Sequence, residues 1–294
     1  MSREMHAYVM TRGTLRRMDY AFLAQSPPHR WWETVGKWLF LDAEELVVSR
    51  RDPWTTGLLL SGIPSERRDV IGTRIRYTVV VDDVHDDPEL ATRLIRCGLE
   101  DEERARLGRA LDEGFDADYV DAWLAGNGST DSATLDGATQ EVERRLLAAV
   151  RERAFAAPNE NDTAGGSDRR GSWVGGIQNP GAREAFRIRA QRLLQDPRPG
   201  IAFTTHALGT IEGARRMAQA LTQEVAVLLH DSELGRVERL SQGPAAATAV
   251  SGGKAPTPVG RRDPSTYRRP ELLILAVTLG LAMAWAIWWL TGRA

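Results

Sequence analysis

The chain has 294 residues, 38 basic against 40 acidic, and a formal net charge of −2. That balance argues against a protein governed by nucleic-acid electrostatics, and the single cysteine, Cys97, excludes an intrachain disulfide and a cysteine-based zinc site. The basic residues are nearly all arginine, with only Lys37 and Lys254 as lysines. Together with the abundance of Ala and Gly, this reads as the product of a GC-rich genome rather than as the mark of a ligand.

The first 85 residues read as β-rich. HAYVMTRG (6–13), DYAFLAQ (19–25), KWLFLD (37–42), ELVVSRR (45–51), TGLLLSGI (56–63) and RIRYTVVVDD (74–83) are short apolar or alternating runs bounded by turn-forming or charged clusters. In the last of them Ile75, Tyr77, Val79 and Val81 share one face and Arg74, Arg76, Thr78 and Val80 the other. Six such runs predict a mainly antiparallel sheet, or a small barrel or half-barrel.

From Asp87 the texture becomes helical. PELATRLIRCGL opens with Pro88 at the first helical position, where its missing N–H costs little. Residues 101–114, 117–126 and 136–155 follow as further helices, the last with Val142, Leu146, Ala149 and Val150 at helical spacing. These are expected as a layer on the sheet, closing a β-rich domain over 1–156. Residues 157–172 are Gly, Asp, Asn and Ser without a large apolar side chain, and read as a linker.

Residues 173–240 carry a strand–helix–strand–helix–strand pattern. SWVGG, GIAFTTH and EVAVLLHD are the strands; 179–195 and 210–221 are the helices, capped by Asn179 and Thr210. Elements of these lengths imply parallel strands and right-handed crossovers. The expected class is thus α+β with a small C-terminal βαβαβ unit, which either stands apart or completes a larger sheet with the earlier strands.

Residues 241–270 are Pro, Gly, Ala, Ser and Thr without periodicity, a basic disordered tether. The run Leu272–Leu290 then has no charged residue. As a helix at ~1.5 Å per residue it would reach roughly 28 Å, the thickness of a bilayer's hydrocarbon core. Trp285, Trp288 and Trp289 cluster at its far end, as aromatic side chains do at the headgroup level. Residues 271–291 are therefore read as a transmembrane helix and the bilayer as one partner. Arg261, Arg262, Arg268 and Arg269 precede the span and Arg293 follows it. By the positive-inside rule this places the N-terminal body in the cytoplasm and the C-terminus outside, at an inner membrane.

Three candidate sites stand out. The carboxyl ends of the C-terminal strands would gather Asn179, Thr205, His206, His230 and Asp231 next to two helix N-termini, which suits an anionic or polar small ligand. Against it, glycine and polar residues are what any αβ loop needs, and no dinucleotide, P-loop or nucleophile-elbow motif is present. The segment 61–76 packs Arg67, Arg68, Arg74 and Arg76 into one hairpin, either a phosphate or acidic-partner surface or a solvated turn. Trp31, Trp32 and Trp38, beside Arg30 and Lys37, suit a protein interface or a nucleic-acid stacking surface, against the commoner outcome of core aromatics under a loop. His6, His29, His85, His206 and His230 follow no metal-binding spacing, and no cofactor is indicated.

Three functions are compatible with this. One is a tail-anchored module that binds a protein partner or senses a ligand, an architecture that suits bacterial signalling or conflict systems. The second is a membrane-tethered enzyme with its site around His206 and Asp231. The third is a membrane-perturbing effector whose tails associate through Gly280, Ala282 and Ala284.

Overall fold

The computed structural model describes residues 4–14, 19–127, 132–151, 170–232 and 234–240. The tether, the span Leu272–Leu290 and all but the last three residues of the expected linker lie outside them. No helix among the described residues is long and apolar enough to cross a membrane.

The protein is a mixed α and β structure built on one large mixed sheet. Its strands are β1 (His6–Thr11), β2 (Ala21–Phe22), β3 (Leu46–Asp52), β4 (Thr55–Arg68), β5 (Arg74–Asp82), β6 (Trp173–Gly176), β7 (Gly200–Thr205), β8 (Glu224–Leu229) and β9 (Glu238–Arg239). The order across the sheet is β2-β1-β5-β4-β3-β7-β8-β6-β9. The first five strands in that order are antiparallel to one another, and β7, β8 and β6 are parallel. The two halves are joined where β3 pairs antiparallel with β7, Val47 opposite Phe203. The sheet is open, so the barrel does not form. Leu46, Val47 and Val48 are all fully buried. An unbroken apolar run of this kind belongs to a strand covered on both faces, and β3 has to sit inside the sheet rather than at its edge.

Helices cover both faces. On one lie α1 (Pro88–Leu99), α2 (Asp101–Gly114), α4 (Ser132–Arg151) and α5 (Pro180–Gln195), packed with Leu58, Leu60, Tyr77, Val79 and Val81. On the other lie α6 (Ile211–Ala220) and a 3-10 helix, Trp31–Trp38, packed with Val47, Leu59, Val80, Phe203 and Val227. α3 (Ala117–Ala122) runs on into a π turn, Trp123–Asn127. The helix starts are locally encoded. Asp87 accepts from Leu90 N–H, Asn179 from Ala182 N–H and Thr210 from Gly213 N–H, with Pro88 and Pro180 in the first turns.

Two strands differ from expectation. The run 37–42 is no strand but the end of the 3-10 helix and the turn after it, with Phe40 54% exposed. Trp31, Trp32 and Val35 recur at helical spacing and hold the segment against the sheet. β4 runs past Ile63 to Arg68. Beyond Ser61, whose N–H still donates to the Glu45 carbonyl, β5 is the one strand paired with it among the described residues, so Pro64 sits on a free edge of the sheet where its missing N–H breaks no ladder. A bulge at Gly62, whose φ of +66° favours glycine, shifts the register there.

The glycines of the helical layer separate packing from propensity. A Cβ on Gly108 would lie 2.0 Å from the Pro64 carbonyl oxygen, because α2 rests directly on the β4 backbone. Gly137 in α4 is exposed and has nothing within 4 Å. Alanine gains about 1 kcal/mol over glycine in a helix interior, and overpacking costs about 1–3 kcal/mol. Gly137→Ala is therefore expected to stabilise and Gly108→Ala to destabilise, as read by urea unfolding. Equal effects at the two positions would contradict the close approach of α2 to β4.

Candidate functional site

β6, β7 and β8 are parallel, and the chain crosses from β6 to β7 by α5 on one face and returns to β8 by α6 on the other. A crevice outside the carboxyl ends of the strands forms where successive connections leave for opposite faces. His206 and His230 are the residues just past the carboxyl ends of β7 and β8. Their backbones are fixed by neighbours. His230 N–H donates to the Thr205 carbonyl at 3.0 Å. The Thr205 hydroxyl donates to the Trp38 carbonyl at 2.6 Å, and the Thr204 hydroxyl accepts from Leu46 N–H at 2.9 Å. The two imidazoles consequently stack, with centroids 3.7 Å apart and planes inclined by 14°.

The start of β3 brings two carboxylates to the pair. Glu45 is wholly buried. Its Oε1 accepts from the N–H groups of Phe40 (3.2 Å) and His206 (3.1 Å) and lies 3.8 Å from His206 Nδ1. Glu44 lies 4.0 Å from His206 Nε2 and pairs with Arg76 at 2.5 Å. Arg104 of α2, also buried, donates to the Gly98 carbonyl and contributes its charge to the cluster. Glu45 Oε2, His206 Nδ1 and His230 Nε2 are buried without a hydrogen-bond partner among the described residues.

Burial sets the protonation states. It pushes the Glu45 carboxyl up to about 7, against the two backbone N–H donors and Arg104. It pushes the His230 imidazole down to about 4, helped by stacked His206 and by Arg104. Burial also works to raise Glu44, but the Arg76 guanidinium and the hydrogen bonds outweigh it and hold that carboxyl below its usual range. Near neutral pH burial thus favours a neutral His230 and a Glu45 that is protonated in part, with the His206 ring a quarter exposed toward solvent.

No protein-family model matches this chain, and no curated protein or solved structure matches it significantly.

The other expected site residues distribute themselves as follows. Asp231 is exposed in the turn after His230. Asn179 stands at the same edge, but its Oδ1 caps α5 and its Nδ2 donates to the Gly235 carbonyl at 2.7 Å. Thr205 is fully buried and its hydroxyl is used as described. The arginine cluster of 61–76 separates. Arg67 is buried over the Tyr77 ring and donates to Thr11 and Ser65. Arg68 closes the hairpin on the Gly72 carbonyl, and Arg74 is exposed. Only Arg76 reaches the histidines, through Glu44. Trp31 and Trp32 are buried edge to face, and Trp31 Nε1 donates to Asp82 at 2.8 Å, so they present no aromatic surface.

Glu44, Glu45 and Arg104 were not singled out from the sequence, although a signal exists. Glu45 shares strand parity with buried Val47, and Arg104 stands on the same helical stripe as Leu107 and Leu111. A charge on an apolar stripe is the anomaly that marks such a site.

Proposed function

We propose that the chain is a membrane-tethered ligand-sensing module, with its site at the carboxyl ends of β7 and β8. The observation that carries this reading is three buried polar atoms without a hydrogen-bond partner among the described residues, His206 Nδ1 and His230 Nε2 of one stacked pair and Oε2 of the Glu45 beside it. Buried polar groups are otherwise nearly always hydrogen-bonded. The ligand that fits presents a donor and an acceptor on one edge, as an amide or a nitrogen heterocycle does. Glu45 can give or take a hydrogen bond as its proton comes and goes, and the imidazole face favours a flat ring. Leu272–Leu290 would hold this body at the cytoplasmic face of an inner membrane, with the tether setting its reach. The same Glu45 proton supports a second reading, acid–base catalysis on the bound ligand.

Thermal-shift screening of the full chain in detergent, against nucleosides, amino acids and heterocyclic metabolites at pH 7, tests the site. A binder of the expected class raises the midpoint of the wild type. Its affinity should fall at least about tenfold in His206→Phe and Glu45→Gln, the loss of one or two hydrogen bonds to a buried polar group. Equal affinity in all three proteins would move the site elsewhere. Conversion of the ligand at a rate that depends on Glu45 would favour the enzymatic reading.

A further inference from the structure

We propose that the opposite end of the sheet carries a docking pocket for the phosphate of an anionic lipid headgroup. At the amino ends of β7 and β8, against the last turn of α5, lies a cavity of about 650 Å³. Arg51, Arg189, Arg192 and Arg198 line it against Asp196 and Glu224, four guanidinium groups to two carboxylates. The guanidinium fork suits a phosphate better than an ammonium does.

The pocket is built from unlike parts. Arg189 is 1% exposed, held to Glu224 at 3.1 Å and to the Gly171 carbonyl at 2.9 Å, and forms a rigid wall. Arg198 folds back on Asp196, and Arg192 lies 3.8 Å from Glu224. Arg51, the exposed residue before the end of β3, makes no ion pair with a described residue. A helix C-terminus ordinarily repels an anion. Here Arg50 donates to the carbonyls of Leu193 and Leu194 in the last turn of α5, which answers that charge.

Two further observations choose a lipid over a soluble phosphate. Trp54, at the β3–β4 turn on this end, is 75% exposed, and Arg50 ties that turn to the pocket wall through the Pro53 carbonyl. An exposed Trp next to arginines is the usual furnishing of a headgroup contact. The chain also leaves the body here. Leu240 N–H donates to the Ser172 carbonyl, and the Ser172 hydroxyl accepts from Val225 N–H, one residue from Glu224 of the pocket. Some thirty residues separate Leu240 from Leu272. This end of the body is therefore the one nearest in chain to the proposed span. The inference rests on the membrane reading of Leu272–Leu290.

The test uses the full chain in vesicles of phosphatidylcholine, with or without phosphatidylglycerol. An environment-sensitive fluorophore is placed in Trp54→Cys or, at the far end, in Ile71→Cys, where Ile71 is 74% exposed; Cys97 is buried and stays unlabelled. Quenching by spin-labelled lipid should be several-fold stronger for the probe at 54 when phosphatidylglycerol is present. Arg51→Gln with Arg198→Gln should return it to the phosphatidylcholine level. No dependence on the anionic lipid, quenching at 71 instead of 54, or full docking by the double variant would overturn the proposal. So would a response of the 54 probe to glycerol phosphate alone with none to the vesicles, which assigns the pocket to a soluble anion. Alkaline washing of the same vesicles reads the span separately. A chain that washes off after its probe was quenched keeps the pocket and loses the span. A chain that stays while its probe remains in water keeps the span and loses the pocket.

Discussion

Glu45→Gln is expected to stabilise the protein by about 3 kcal/mol at pH 8 and to leave it nearly unchanged at pH 4, which at roughly 2–4 °C per kcal/mol raises the midpoint by about 6–12 °C. The carboxyl of Glu45 titrates at about 7 in the folded protein against an ordinary 4.5. Between those values the unfolded chain has lost the proton that the folded protein still holds. Folding stability therefore falls as pH rises through this window, and the loss is complete above 7. The amide keeps the acceptor for Phe40 and His206 N–H and never ionises, so it escapes the penalty. A buried group that costs stability at neutral pH and can be replaced by an isostere is what a site retained for function looks like.

His230 supplies the opposite arm. Its folded value of about 4 lies below the ordinary 6.5, so the unfolded chain binds a proton that the folded protein refuses. Stability from this group is present above 6.5 and is lost as pH falls toward 4. In the wild type the two slopes oppose each other between about 4.5 and 6.5. The difference between Glu45→Gln and wild type should grow with pH from 4.5 to 7. The difference between His230→Gln and wild type should grow as pH rises from 4 to 6.5, in the direction of a less stable variant. Urea unfolding across this range reads both, and differences from wild type cancel the remaining titrating groups. A Glu45→Gln variant no more stable than wild type at pH 8 would show that Glu45 does not carry the cost of burial.

Arg50→Met should lower stability by about 2–4 kcal/mol, the cost of leaving buried carbonyl acceptors without their donor at about 1–3 kcal/mol each. Arg50 is buried on β3, and its guanidinium donates to the carbonyls of Leu193, Leu194 and Pro53. Its backbone stands opposite Gly200 in the pairing that joins β3 to β7. Methionine keeps much of the apolar stem and leaves three acceptors without their donor. Lysine keeps a charge but cannot reach two adjacent carbonyls with one planar fork, so Arg50→Lys should recover less than half of the loss. A change within about 0.5 kcal/mol of wild type, the range of an ordinary surface substitution, would mean that the β3–β7 junction does not depend on this clamp.

Elements whose ends are set by neighbours in sequence were legible. Asp87 with Pro88, Asn179 with Pro180 and Thr210 start α1, α5 and α6 where expected, because a cap and its N–H partner lie within three residues. The alternation of Ile75 to Val81 assigned the faces of β5 correctly, since a strand's faces follow from period two alone. The placement of His206 and His230 at one edge was also readable, because parallel strands joined by crossovers bring their carboxyl ends together. The apolar run Leu272–Leu290 is a reading of the sequence and lies outside the described residues.

What only the tertiary structure decided depends on partners far apart in the chain. Nothing local says that β3 pairs with β7, more than 150 residues away, yet that pairing makes one sheet and sets Glu45 against His206. Pro64 reads as the end of a strand until the edge it occupies is known. Trp31 and Trp32 read more readily as core aromatics under a loop than as an interface, and only the sheet face opposite them settles it. Arg76 reads as one of a hairpin's arginines, and it leaves that group because Glu44 meets it across 32 positions. A carboxylate's solvation, unlike a helix cap, is a property of everything packed around it, and so the proton on Glu45 is settled only when α2, β3 and β7 have come together.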